Sequence, residues 1–229
     1  MKISLAIPAY TNESGNGLND FSNLMESVKC QNYKDVEICV SDHSDNDLIK
    51  KYCETLDLNL RYFKEKKWKG YWGANLNNAI KNCTGDIIKF MCNDDYFFSE
   101  DSITKISEVY KSEKFKWAVC GGVHTRDHKH YYQQVIPRWT DNIHTGNNKL
   151  GGVSSIIIEN RKNKLYLHKT LNWMGDCEYY LRLNALFGKP WIIEDPLIVY
   201  KQSNNQFTNS LSYDEKRSEL EYVMEKFGN

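Results

Sequence analysis

Between residues 3 and 92, short apolar runs alternate with segments whose apolar residues recur at helical spacing, and this alternation limits the fold more than any other feature. Residues 3–7 read as a strand stopped by Pro8, after which Leu18, Phe21, Leu24, Met25 and Val28 share one helical face. The same patterning predicts strands over 36–40, 58–63 and 86–92, separated by helices over 48–56 and 74–83. Strands and helices alternating at these lengths imply an α/β fold, a mostly parallel central sheet flanked by helices, in which ligands bind beyond the carboxyl ends of the strands. The polar segments 10–17, 42–47 and 93–96 each follow a strand and are therefore expected at one edge.

The second half is less regular. Residues 102–110 predict a helix with Ile103, Ile106 and Val109 inward, 117–120 a strand, and 153–158 an apolar run. An amphipathic helix is expected over 176–187, short strands over 191–193 and 197–200, and a charged helix over 213–227. Residues 124–151 show no clear period, and loops of that length are often functional. With 229 residues, no internal repeat and no low-complexity linker, one domain is expected over 1–229.

Composition excludes some partners. Thirty basic residues balance thirty acidic ones, so no overall field draws the chain to nucleic acid. The seven cysteines are scattered and never in a Cys-x-x-Cys spacing, which argues against a disulfide framework or a zinc site and for reduced thiols in a cytoplasmic protein. Pro8 cuts the apolar start too early for a signal peptide, and no run approaches the ~18 apolar residues of a membrane span. Any contact with the inner face of a membrane is expected to be peripheral.

The residues richest in chemistry are Asp94 and Asp95, which follow the apolar run from Ile87 to Met91. Adjacent carboxylates at a strand end repel each other, and a hard divalent cation such as Mg²⁺ or Mn²⁺ relieves that repulsion while leaving positions for phosphate oxygens. A solvated Asn-Asp-Asp turn is the competing reading. His124, His128 and His130 offer three imidazoles within seven residues, but turn geometry would not bring all three onto one ion, and a hydrated loop or hairpin is the preferred reading.

Taken in order, these segments resemble the GT-A-fold (Rossmann-like) glycosyltransferases of family 2, which depend on nucleotide sugars and are typically inverting. The resemblance covers most of the chain and is strongest over residues 1–100. The segment ISLAIPAYTNE at 3–13 is similar to the family's first strand and nucleotide-contacting loop, which implies contacts from Pro8, Ala9, Tyr10 and Glu13. VEICVSDHS at 36–44 resembles the second strand, ending in the aspartate that meets the base, here Asp42. NLNNAI at 75–80 and TGDII at 84–88 match the helix and strand that lead into the metal motif, here Asn93-Asp94-Asp95. GDCEYYLR at 175–182 resembles the later acidic helix start that supplies the catalytic base.

The resemblance implies inverting transfer of a sugar from a nucleotide diphosphate sugar, with UDP favoured over dTDP or GDP, to a hydroxyl of a glycan or lipid-linked saccharide, as in polysaccharide biosynthesis. Asp42 would accept from a ring N–H of uracil, with helix capping as its alternative role. Asp95 would hold Mn²⁺ or Mg²⁺, with Asp94 on the same metal or on the ribose. Lys69, beside Gly70 and Gly73, could approach the diphosphate, although Lys64, Lys66, Lys67 and Lys69 also fit a solvated basic loop. Asn77 and Asn93 complete the expected nucleotide-sugar contacts. Asp176 stands near the positive end of a helix dipole and would act as general base, with Glu178 its close rival. Trp173, Glu178 and Trp139 are the expected acceptor contacts, the indoles by stacking on sugar faces.

Two departures bear on the metal. Cys92 stands where many members carry an acidic residue, and Ser203 where many carry a histidine, which moves most of the metal burden onto Asp95. Residues 1–100 would then form a nucleotide-binding half and 101–229 an acceptor-binding half. Two other readings remain. A nucleotide-sugar-binding module without transfer predicts loss of Asp95 or Asp176, and both are present. A sugar nucleotidyltransferase predicts a Gly-rich basic loop after the first strand, where this chain has Pro-Ala-Tyr-Thr-Asn-Glu.

Overall fold

The computed structural model describes residues 1–203 and 207–228. The first half follows the expected order: β1 (Ile3–Ala9), α1 (Leu18–Lys29), β2 (Val36–Asp42), α2 (Leu48–Glu54), β3 (Leu60–Lys64), α3 (Trp72–Asn82) and β4 (Ile87–Phe90). Then come β5 (Tyr96–Phe97), α4 (Ser102–Glu113), β6 (Trp117–Thr125), β7 (Tyr131–Val135), β8 (Ile156–Glu159), α5 (Gly175–Phe187), β9 (Trp191–Lys201), α6 (Phe207–Ser210) and α7 (Tyr213–Phe227). All nine strands share one sheet of order β3-β2-β1-β4-β8-β6-β9-β5, with β7 paired to β6. Strands β1 to β4 are parallel neighbours, β8 runs antiparallel to both β4 and β6, and β9 returns parallel to β6.

Both faces of this single α/β domain are covered. Ile3, Leu5 and Ile7 of β1 pack with Phe21, Leu24 and Met25 of α1, Ile49 of α2 and Ile103 and Ile106 of α4. The opposite face carries Ala6, Ile88 and Phe90 against Leu76, Ala79 and Ile80 of α3 and Tyr179 and Tyr180 of α5. Burial on both faces explains why these strands read as unbroken apolar runs rather than alternating ones. Among the described residues no helix is long and apolar enough to cross a membrane, and all seven cysteines are free thiols.

Beyond the short β5 and α6, which no expectation covered, two elements differ in an instructive way. The hairpin strand β7 falls inside the aperiodic stretch because four of its five residues are exposed, which leaves no apolar alternation to detect. The two short strands expected near 191–200 form one strand, β9. Pro196, which has no N–H to donate, sits where the β6–β9 register shifts around Gly121, so the irregularity absorbs the proline.

Glu37 ties the parallel block together. Its carboxylate accepts from the Ser4 hydroxyl on β1, from the Thr84 side chain and backbone, and from the Gly85 N–H at 2.9 Å, and it pairs with Lys2 and Arg61, each at 2.9 Å. Burial by itself would raise its pKa, but the hydrogen bonds from Ser4, Thr84 and Lys2 hold it down to about 2.

Helix α3 also corrects two expected ligand contacts. A Cβ on Gly73 would stand 2.6 Å from the His168 carbonyl oxygen, so glycine is needed for close approach of the 165–168 segment. Asn77 clamps that segment: its Nδ2 donates to the Leu167 carbonyl at 2.9 Å and its Oδ1 accepts from the Leu167 N–H at 2.7 Å. Both residues sit on the packed side of α3, and neither lines the cleft described below.

Glu37→Gln should lower the unfolding free energy at pH 7 by about 2–4 kcal/mol, since it leaves two cations around a neutral group. A carboxyl held near 2 against an ordinary 4.5 stabilises the fold above the unfolded pKa and loses that effect as pH falls toward 2. The gap between wild type and variant, measured by denaturant titration, should therefore shrink from pH 5 to pH 3. Asn77→Ala should cost about 1–3 kcal/mol by orphaning both Leu167 backbone groups. Calorimetry should find its nucleotide affinity unchanged.

Candidate active site

A cleft of about 720 Å³ opens beyond the carboxyl ends of the parallel strands, within the size range of small-molecule sites. Pro8 near the end of β1, Tyr10 just after it, His43 and Asp45 after β2, and Cys92, Asn93, Asp94 and Asp95 after β4 all line it. The rest of the lining comes from the starts of α3 and α5, from residues 151–153, and from the end of β9 with α6. The loops after β1 and β2 are laced together: the Thr11 N–H donates to Ser44 Oγ at 2.8 Å, and Asn46 Nδ2 donates to the Asn12 carbonyl at 2.8 Å.

Asp94 and Asp95 sit where β4 ends. Asp95 is 7% exposed, and its Oδ1 accepts from the Lys201 N–H at 3.1 Å. Burial, reinforced by the Asp94 charge, pushes the Asp95 carboxyl well up, while hydrogen bonds from Ser154 and Lys201 oppose the rise. Burial also raises Asp94, and the nearby Lys201 ammonium, itself paired with Asp20, pulls it down. Lys89, fully buried on β4, donates to the carbonyls of Ser154 and Phe90. Among the described residues, Cys92, Asp94 and Asp95 form the group able to hold a metal, with ligand atoms within 4.8 Å of one another. Two crowded carboxylates that resist ionisation fit a hard divalent cation. The Cys92 thiol, held protonated by burial, is a poor partner for one.

Asp176 stands in the first turn of α5 and lines the same cleft. Its Oδ1 accepts from the Cys177 N–H at 2.8 Å and its Oδ2 from Asn148 Nδ2 at 3.0 Å. Burial raises its pKa against these bonds. The preceding residue must be small, because a Cβ on Gly175 would stand 2.7 Å from the Trp72 ring. Trp173 lines the cleft beside Asp176.

Several expected contacts lie elsewhere. Glu178 is 1% exposed and ion-paired to Arg182 at 2.9 Å and Lys226 at 3.0 Å. Burial would raise it, but those two cations hold it below the ordinary range, and its place two positions along the helix from Asp176 turns it toward Lys226 of α7. It does not line the cleft, unlike the base and acceptor contact expected of it. Trp139 stacks edge-on against Trp117 at 6.3 Å and donates to Asp141 at 2.9 Å, which makes it a lid on the core. Ala9 is buried, and only its carbonyl is used, by Asn75 at 3.0 Å and the His43 N–H at 3.1 Å. Glu13 is exposed on its turn and lines no part of the cleft.

Asp42 is the larger correction. It is fully buried, and its two oxygens accept from the Ser44 N–H and hydroxyl, from Tyr62 at 2.6 Å and from Lys64 at 3.2 Å. Those four bonds use the accepting capacity of a carboxylate, so none is left for a base. The β2–β3 register, which pairs Asp42 with Lys64, puts these donors there. His43 faces the cleft instead, its imidazole kept neutral by burial and its Nε2 shielded without a protein partner. Asn75 Oδ1 and Asn172 Oδ1 are likewise buried, unpartnered and in the cleft wall. Buried polar atoms normally have partners, so these three leave hydrogen bonds that a polar ligand in the cleft would complete, although orphans of the same kind also lie elsewhere, as at Ser107 and Asn160.

Lys69 lines the cleft and pairs with Asp45, and Asn93 Nδ2 lies 3.5 Å from the Tyr10 carbonyl. The three imidazoles diverge: His124 lines the cleft and contacts Gln202 at 2.9 Å, His128 stacks on Tyr96, and His130 binds Asp127 at 2.7 Å. Sequence patterning missed His43, Asn75, Asn148 and Asn172, since single polar residues carry no periodic signal. Lys89 did leave one, as a lone charge within an apolar run.

Comparison with known proteins places this geometry. The sequence profile described as "Glycosyl transferase family 2" matches residues 4–181. Over 101 residues the chain is 27% identical to GalNAc(5)-diNAcBac-PP-undecaprenol beta-1,3-glucosyltransferase of Campylobacter jejuni, covering 43% of this chain and 31% of that protein. An uncharacterized glycosyltransferase of Rickettsia conorii is 28% identical over 129 residues, covering 56% of this chain and 20% of that protein. The chain thus spans a third or less of these relatives. Its fold superposes on S. aureus TarS 1-349 in complex with UDP-GlcNAc with a TM-score of 0.75 at 16% identity, over 98% of this chain and 66% of that one. Mannosyltransferase PcManGT from Pyrobaculum calidifontis, in complex with GDP-Man and Mn²⁺, superposes with a TM-score of 0.67 at 14% identity, over 98% of this chain and 63% of that one. The fold is GT-A, and the chain belongs to glycosyl transferase family 2.

Proposed function

We propose that the protein transfers a sugar from a nucleotide diphosphate sugar, with UDP favoured, to a hydroxyl of a glycan or lipid-linked saccharide, with inversion. One observation carries the reading: Asp94 and Asp95, in the turn after β4, and Asp176, in the first turn of α5, line one and the same cleft. The TarS and PcManGT structures, with their nucleotide sugars, support the donor class, and the undecaprenol-linked substrate named for the Campylobacter protein supports the acceptor class and a peripheral role at a membrane.

In this reading residues 1–100 bind the nucleotide and 101–229 meet the acceptor. The His43 imidazole and the backbone beyond Pro8 face the base, a neutral Nε2 being able to accept from the ring N–H of uracil or donate to its carbonyl. Lys69 meets the diphosphate by exchanging Asp45 for phosphate oxygen. Asp95 and Asp94 would hold the divalent cation, which would supply Lewis-acid stabilisation of the departing diphosphate charge. Asp176 takes the proton of the acceptor hydroxyl as its oxygen forms the new bond to the anomeric carbon and the bond to the leaving phosphate oxygen breaks. Asn148 aims that carboxylate by holding Oδ2. A binding module without transfer would not need a further carboxylate in the same cleft as the metal pair.

A thermal-shift panel of UDP, dTDP, GDP and CMP with Mn²⁺ tests the first step, and a nucleotide at 100 times its Kd should add about 2.7 kcal/mol. If none stabilises the protein, the reading fails. Asp176→Asn should reduce transfer by about 10²–10⁴-fold and keep nucleotide binding, whereas Asp95→Asn should weaken Mn²⁺-dependent binding. Equal effects on both measurements would refute the division of roles. Because burial raises the Asp176 pKa and the base acts ionised, transfer should fall on acidification with a midpoint above the ordinary aspartate value of about 4. A profile flat down to that pH would contradict Asp176 as base.

A further inference from the structure

The turn that precedes α5 is held from behind by a single side chain of the last helix. Glu219 of α7 accepts from three successive backbone N–H groups, those of Asn172 at 2.7 Å, Trp173 at 2.7 Å and Met174 at 2.8 Å. On the other edge of the turn, the Asn172 carbonyl accepts from Trp72 Nε1 at 2.9 Å. Met174, at the N-cap of α5, has no capping side chain, so Glu219 also supplies the anion beside the positive end of that helix. Helix α7 is itself well seated. Val223 is fully buried, Leu220 and Phe227 pack on the core cluster beneath Trp72 and Trp173, and Lys226 reaches Glu178 on α5.

Once these bonds are made, the turn has two features left for the cleft. One is the Trp173 ring, packed on the core along part of its surface and lining the cleft with the rest. The other is Asn172 Oδ1, shielded from solvent with no protein partner. A flat apolar surface beside an unsatisfied acceptor suits a pyranose, whose C–H face stacks while a hydroxyl donates. Asp176 follows within one helical turn. We propose that the 172–174 turn is the platform for the acceptor sugar, with Asn172 Oδ1 accepting from one of its hydroxyls and Glu219 as the positioning residue that holds the platform in place. This rests on the transfer reading above, and it adds to that reading a residue that binds the acceptor and a distant carboxylate that acts through it.

The test compares wild type, Asn172→Ala, Glu219→Gln and the double variant by three measurements. These are nucleotide Kd with Mn²⁺, hydrolysis of the matching nucleotide sugar with water as acceptor, and transfer to a panel of p-nitrophenyl glycosides. Asn172→Ala should raise the glycoside KM about tenfold while nucleotide Kd and hydrolysis stay within about twofold, the size expected for one hydrogen bond to a neutral group. Glu219→Gln should raise the same KM and also lower the melting temperature. The double variant should raise KM no further than the larger single effect, because both changes act through one turn. A merely structural Glu219 would lower the melting temperature and leave KM alone, which overturns its role. An unchanged KM in Asn172→Ala, or equal losses in hydrolysis and transfer, overturns the platform. A wild type that binds nucleotide but neither binds nor glycosylates any glycoside of the panel also overturns it. A wild type that binds no nucleotide overturns the transfer reading itself, a separate result.

Discussion

Everything in this protein hangs from the parallel register of β1 with β2 on one side and β4 on the other. With both faces of these strands buried under helices, the chain can change direction only at the sheet edges, and the polar turns after β1, β2 and β4 have to collect at one of them. The Glu37 network locks this register from the opposite end. One buried carboxylate satisfies β1, the turn before β4 and Arg61 on β3 together, so slipping any strand would strand a charge.

The cleft at the other edge shows the same economy with opposite intent. Around Glu37 every acceptor is filled, whereas around Asp94, Asp95 and Asp176 burial is only partly offset and the carboxyls are pushed toward protonation. His43, Asn75 and Asn172 add unpartnered polar atoms to the same wall. Such a wall costs stability without a ligand and gains it back with one, which is the arrangement expected of a preorganised binding surface.

Carboxylates of equal standing in the sequence end in different roles because their neighbours differ. Asp42 closes β2 and Asp95 lies in the turn after β4, yet β3 brings Tyr62 and Lys64 against Asp42 and makes it structural, while Asp95 keeps a second carboxylate beside it. Asp176 and Glu178 are two residues apart on α5. The helix turns one to the cleft and the other to Arg182 and Lys226, where α7 closes over it. Trp173 and Trp139 divide in the same way, one in the cleft and one on Trp117.

The amino-acid sequence by itself determined the α/β architecture, the positions of nearly all the helices and strands, and the edge at which the acidic pair would stand. Those follow from hydrophobic periodicity, which is local in the chain and survives in one dimension. It was blind to β7, whose residues are mostly exposed, to the short β5 and α6, and to the join of β9 through Pro196. Only the tertiary structure decided which polar residues face the cleft: His43 rather than Asp42, Asp176 rather than Glu178, and Asn172 held by a glutamate 47 residues further along the chain. Partners for a polar side chain come from strands and helices far away in sequence, and hydrogen-bond saturation, which separates a structural carboxylate from a reactive one, exists only once they are packed together.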